Sequence, residues 1–127
     1  MLNLEKYAKP ILRIGMSLVF LYFGISQLIS PGQWVGFVPN YALVFGIATE
    51  QIVLMNALLE ISFGTLLIIG LYTKVASIIL ALHLVGITFS LGINDLGVRD
   101  FGLTVATFVT FINGPDQFCL DNKFKKR

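Results

Sequence analysis

The stretch "LGINDLGVRDFGL", Leu91–Leu103, decides how many helices this chain has. It places an Asn, two Asp and an Arg between uninterrupted apolar sequence on both sides. Downstream, the apolar run "FGLTVATFVTFI", Phe101–Ile112, is too short to cross the membrane alone. Crossing ~30 Å of hydrocarbon takes ~20 helical residues at ~1.5 Å each. Gly114-Pro115 ends the run, because Pro cannot continue a helix and Gly favours the cap. Counting back ~20 residues from Gly114 reaches Asn94 or Asp95. A fourth spanning helix then takes in Val98, Arg99 and Asp100, with its two charges below the outer edge of the hydrocarbon or with the bilayer thinned around them. The alternative is a loop whose charges sit among the headgroups.

Working outward, the rest of the chain favours lipid as the solvent. Of its 127 residues, 56% are hydrophobic and 13% charged, against ~25% charged in soluble domains. The mean hydropathy is +0.83. Three longer blocks precede the quoted stretch: Pro10–Ile29, Gln51–Leu71 and Val75–Ile93. Each is long enough to span. The expected architecture is all-α: one integral-membrane domain of four transmembrane helices, at about 10–29, 51–71, 75–93 and 97–113, with both termini cytoplasmic.

Basic residues set that orientation. Lys6, Lys9, Arg13, Lys74, Lys123, Lys125, Lys126 and Arg127 fall on one side, leaving only Arg99 of the nine Lys and Arg on the other. This is a positive-inside bias. The net charge of +2 therefore reflects topology and does not point to nucleic acid. The basic tail "KFKKR" also suits anionic lipid. The N-terminal apolar run is too long for a cleaved signal and no small-x-small site follows it. Between the first two blocks lies an uncharged segment, Ser30–Thr49, with Trp34, Phe37, Tyr41 and Phe45. It reads as an interfacial aromatic anchor, or as a lid over a cavity between helices.

Glu60 and His83 fall near the middle of the second and third blocks. On antiparallel neighbours they share a depth. A carboxylate at mid-bilayer costs on the order of 2.5–3.5 kcal/mol on insertion scales, so it faces inward and finds a partner. The two form either a packing hydrogen bond or a functional pair. Polar or small residues recur at helical spacing on each block. The stripes are Arg13, Ser17, Phe20, Gly24, Gln27; Asn56, Glu60; His83, Gly86, Ser90, Asn94; and Asp100, Thr104, Thr107. Facing one another, they give a bundle with a polar centre open toward the outer leaflet. Arg13 is free to snorkel to the inner headgroups.

What is missing narrows the chemistry. One cysteine and one histidine exclude a CxxC redox pair and intrachain bis-His haem ligation. No metal-ligand spacing and no phosphate-binding glycine motif occurs. No cofactor is encoded by motif.

The order of segments resembles the DoxX family of small four-helix membrane proteins. "LRIGMSLVFLYFGISQLISPGQW" (Leu12–Trp34) resembles its first helix and Pro/Gly turn, and "ALLEISFGTLLIIGLYTKVAS" (Ala57–Ser77) its Glu-x-x-x-Gly helix and following turn. "LALHLVGITFSLGINDLGVRDFGL" (Leu80–Leu103) resembles its third helix and acidic segment, and "GPDQFCLD" (Gly114–Asp121) its closing motif. Gln27 stands where many members carry Lys, and Cys119 where Ser is usual. The resemblance implies a prokaryotic cytoplasmic-membrane protein linked to quinone, sulfur or thiol redox chemistry, with Glu60, His83, Asp95, Arg99 and Asp100 as motif matches. The expected site has Glu60 and His83 as a proton relay and Asp95, Arg99, Asp100, Asn94, Asn56, Gln27 and Trp34 around a ligand such as a quinone. Expected partners are the bilayer, a redox protein and a second copy of the chain. A small transporter and a non-enzymatic scaffold are the competing readings.

Overall fold

A computed structural model describes residues 3–125, without the side chains of 41–43 and 124–125. Tyr41 of the aromatic group and Lys125, Lys126 and Arg127 of the basic tail fall outside those described side chains. Four long helices dominate: α1 (Ala8–Ile29), α2 (Thr49–Ile69), α3 (Thr73–Leu91) and α4 (Asp95–Asn113), followed by a short α5 (Leu120–Lys125). Among the described residues there is no strand. α1 with its leading turn (Leu4–Ile29), α2 and α3 are long and apolar enough to cross a membrane.

The boundaries follow local chemistry and differ by about two residues from the hydropathy blocks. α2 stops at Ile69 because Gly70 adopts φ 75° and its N–H turns back on Leu66 and Leu67. Leu71 N–H also bonds Leu66 O at 2.9 Å, closing a Schellman-type cap. α3 ends at Leu91 before Gly92, φ 75°. α4 begins at Asp95, one of the two residues that the length argument reaches. Asn94 caps it, its side-chain oxygen accepting the Gly97 N–H at 2.9 Å.

α1 packs chiefly on α2 and α3 on α4, and the two hairpins meet along α2–α3 and α1–α4. α1 and α2 approach closely through small residues. A methyl group on Gly24 would sit 2.7 Å from the Ile61 side chain and 3.2 Å from the Ala57 carbonyl. The interior is not the usual apolar one. α1 buries Arg13, Ser17, Gly24 and Gln27 beside Met16 and Phe20, and exposes Ile11, Leu18, Ile25 and Leu28. α4 buries Asp100, Thr104, Thr107 and Thr110 and exposes Phe101, Val105 and Ile112. Large apolar side chains outside and polar ones inside suit a surrounding lipid. The chain is a membrane protein.

The stripes expected on α1 and α4 are therefore the buried faces. The one expected on α3 is not. α3 buries Thr73, Ala76, Ser77, Leu80, Ala81 and Leu84, while Gly86 and Asn94 are exposed. The close α3–α4 packing turns the Leu80–Leu84 face inward instead. Across mid-bundle, Met16, Phe20, Leu67, Leu80 and Leu84 form an apolar cluster.

Candidate functional site

Polar groups collect at both ends of this apolar cluster. At the end that carries the long connection, the helices and the connection line a cavity of about 290 Å³. Its walls are Phe20, Phe23, Ile52, Leu84, Ile87 and Leu103 from the helices, with Trp34, Phe37, Val38 and Pro39 from the connection. The connection folds as short 3-10 turns, Pro31–Gln33, Val35–Phe37 and Asn40–Phe45. Trp34 is fixed by an indole N–H to Ser26 Oγ at 3.3 Å and by edge packing on Phe23 at 5.7 Å. Trp34, Phe37, Val38 and Pro39 of this segment cover the cavity, as a lid would, while Val44 and Phe45 are exposed, as an interfacial anchor would be.

The polar lining begins with Glu60, 3% exposed. Gln27 Nε2 donates to Glu60 Oε2 at 3.1 Å. Asn56 Nδ2 donates to Glu60 Oε1 at 3.3 Å and to Gln27 Oε1 at 2.6 Å. Helical spacing explains the triad: Asn56 and Glu60 are four apart on α2, and Gln27 is one turn beyond Gly24, where α1 and α2 touch. His83 Nε2 lies 3.4 Å from Glu60 Oε1 but is out of line for a hydrogen bond, so this buried nitrogen has no acceptor or donor. His83 does not line the cavity; it stands behind Glu60.

Arg99 and Asp100 also line the cavity. Arg99 Nη2 approaches Asp100 Oδ1 at 3.3 Å, and its guanidinium carbon lies 5.6 Å from the centre of the Phe23 ring, a cation–π contact. Asp100 is 7% exposed. Thr104 and Thr88 meet below it, hydroxyl to hydroxyl, at 3.3 Å. Gln27, Trp34, Asn56, Glu60, Arg99 and Asp100 of the expected set thus come together. Asn94 and Asp95 do not: both are exposed and outside the cavity lining. Asn94 is committed to capping α4, while farther along the helix Asp100 is buried and Arg99 stays about half exposed at the cavity's edge.

At the other end, the structure overturns the snorkelling reading of Arg13. Its side chain is buried, with Nε donating to Asp116 Oδ2 at 2.7 Å and Nη1 to the Leu67 and Ile68 carbonyls, each at 2.7 Å. Both carbonyls lie in the last turn of α2, where helix acceptors run short of backbone donors; Leu67 also accepts the Gly70 N–H. Burial by itself would push the Asp116 carboxyl up, but the Arg13 hydrogen bond and the Phe118 N–H, with the Arg13 charge and Cys119, hold it below its ordinary value. Cys119 is fully buried and accepts the Asp116 N–H at 3.3 Å. Asp121 accepts the Tyr72 and Thr73 N–H groups at 2.7 and 2.8 Å, capping α3 from a segment 48 residues away. Sequence reasoning misses Asp116 and Asp121 because both partners are distant in the chain. The available signal is Arg13, a charge in an apolar span that demands a carboxylate.

No curated protein and no solved structure matches this chain. The DoxX family profile matches residues 8–92, which carry α1 to α3 and most of the cavity. This chain belongs to the DoxX family.

Proposed function

We propose that this chain spans the membrane four times, with both termini cytoplasmic, and that its cavity holds the head group of a quinone for a membrane oxidoreductase system of sulfur or thiol chemistry. α4 has 19 residues, ~28 Å at ~1.5 Å each, close to the ~30 Å of hydrocarbon. Lys6, Lys9, Lys74 and Lys123 lie toward the end that carries both termini, and Arg99 toward the other, which supports the orientation.

The cavity carries the reading. At about 290 Å³ it is at the low end of the ~300–1,000 Å³ typical of small-molecule sites, a size for a ring and not for a large cofactor. Its aromatic walls suit a flat ring, Glu60 with Gln27 and Asn56 gives polar contacts at one end, and Arg99–Asp100 gives them nearer the mouth. Glu60 in the cavity wall, with His83 Nε2 3.4 Å from its Oε1, offers a pair through which a proton can move. A transport path would have to cross the apolar cluster of Met16, Phe20, Leu67, Leu80 and Leu84, so the geometry favours a binding site.

The test is mass spectrometry of small molecules extracted from the protein in native nanodiscs, beside a Glu60→Gln/His83→Ala variant of equal fold. Quinone is expected in the wild type and not in the variant. Lipid background alone in both would sink the reading and leave a scaffold for a redox partner, or a second copy of the chain, as the role to pursue.

A further inference from the structure

The cavity has an edge where its wall meets the surroundings, marked by residues that line it and are themselves part exposed. On α1 these are Val19 and Phe23, and on α4 Leu96, Arg99 and Leu103. Apart from Arg99, this edge is apolar. The α1–α2 and α3–α4 pairs are closely packed. The connection adds cover on the α1–α2 side, with Pro31–Gln33 on both helices and Val35–Phe37 on α2. The other looser seam, α2–α3, also has part-exposed lining, but there Asn56 and Ser90 stand beside Ile52 and Ile87 and make the edge mixed. The α1–α4 seam is fastened unequally along its length. Toward the chain termini, Arg13 of α1 donates to Asp116, just past α4, at 2.7 Å, with both side chains buried. At the cavity end, the guanidinium of Arg99 on α4 rests 5.6 Å from the centre of the Phe23 ring on α1. The Arg99 side chain is 52% exposed there, and its bonds to Asp100, at 3.3 and 3.4 Å, stay within α4. A cation–π contact at such a site is worth roughly twofold to fivefold in an equilibrium constant. The seam is thus held firmly at one end and lightly at the other.

We infer that the cavity takes a tailed ring from the bilayer, with the ring inside and its hydrocarbon chain leaving through the α1–α4 seam between Val19 and Leu103. The inference rests on the quinone-class reading of the cavity and adds the ligand's tail and its route. A hydrocarbon chain laid over Asn56 and Ser90 would cover polar groups without offering them a hydrogen bond, which is unfavourable. Between Val19 and Leu103 it meets apolar side chains and passes into lipid of its own kind. Leu103 lies one helical turn inward of Arg99, so the tail leaves beneath the guanidinium. Entry requires Arg99 to lift from Phe23. That is a side-chain movement, and the Arg13–Asp116 pair keeps the helices together at the far end while it happens.

The probe is a benzoquinone whose decyl tail carries a diazirine, irradiated with the wild type in nanodiscs. Labelled positions are read by peptide mass spectrometry, with and without an excess of plain decyl benzoquinone, so that labelling which competes out is separated from lipid background. Competed labelling is expected on α1 around Val19 and on α4 around Leu103. Competed labelling that avoids both would overturn this inference and leave the ring site standing. With no competed labelling anywhere the seam assignment falls, and the tailless ring then decides the larger reading. The protein's one tryptophan lies in the cavity wall, so saturable quenching of Trp34 by tailless benzoquinone would keep the ring site, and its absence would overturn both. Val19→Phe puts a larger side chain in the seam, and the ratio of tailed to tailless affinity should fall roughly tenfold. Partition of the probes into lipid cancels in the comparison with wild type, and an unchanged ratio would overturn the tail's path. The wild-type labelling decides the matter even where the variant fails to fold.

Discussion

Removing both members of the Arg13–Asp116 pair should destabilise this protein about as much as removing either one alone. In Arg13→Ala, the Asp116 carboxylate stays buried with the Phe118 N–H at 2.9 Å as its backbone donor, and the Ile68 carbonyl loses its guanidinium donor at 2.7 Å. Breaking a buried ion pair in this way costs ~3–5 kcal/mol. Asp116→Ala strands the guanidinium against two carbonyls, at a similar ~3–5 kcal/mol. The double variant leaves neither charge behind, so its cost should be near that of one single change, a coupling of about 3 kcal/mol. Cys119 reports the transition without added labels. It is fully buried against this network and is the sole cysteine, so maleimide capture in mixed micelles follows unfolding. Additive single effects, with coupling below ~1 kcal/mol, would show that the guanidinium is not held by Asp116. It would then reach the headgroups, and the account of this end of the bundle would be wrong.

Three further outcomes follow from the same geometry. Asp116 has its folded carboxyl held low, so its stabilisation is full above the unfolded value of ~3.9 and is lost as the pH falls through the folded value; wild type should lose stability on acidification below about pH 4, and an Asp116→Asn profile as steep as wild type would contradict this. Gly70→Ala places a methyl group 2.6 Å from Cys119 at φ 75°, so a loss of ~1–3 kcal/mol and faster maleimide capture are expected, and wild-type kinetics would count against the packing. For orientation, Asp95→Cys in a Cys119→Ser background should react with an impermeant maleimide added outside intact cells; reaction only after the inner face is opened would reverse the topology.

Much of the fold is legible in the sequence because lipid imposes a simple rule on composition. The α1 stripe of Arg13, Ser17, Gly24 and Gln27 and the α4 stripe of Asp100, Thr104 and Thr107 are visible as polar or small residues at helical spacing, and both are buried. On α3 the same rule misleads. His83, Gly86, Ser90 and Asn94 have the spacing, yet the inward face carries Leu80, Ala81 and Leu84, since a helix of small and apolar residues has no single polar face to choose. Asn94 shows a different limit. Side-chain type cannot tell a helix cap from a ligand contact, and a cap it is. Glu60's partners illustrate a third. Helical spacing supplies Asn56, but Gln27 reaches Glu60 only because Gly24 lets α1 lie close to α2.

The two polar centres differ in how much freedom their surroundings leave them, and the difference bears on function. At the Arg13–Asp116 end every strong polar group is tied to backbone: Arg13 to α2 carbonyls, Asp116 to Phe118, Asp121 to the start of α3. That arrangement joins the termini of three helices and leaves no room, since even a methyl group on Gly70 collides with Cys119. At the cavity end the contacts run from side chain to side chain, between Gln27, Asn56, Glu60, Arg99 and Asp100, and the cover is a connection of short 3-10 turns. Side-chain contacts can exchange partners without unwinding a helix. A site that admits and releases a ring needs such exchange, while the end that holds the helices together needs its absence. The apolar cluster between them lets each meet its own requirement, because rearrangement around Glu60 need not pass through the Leu67–Leu80 packing to reach Arg13.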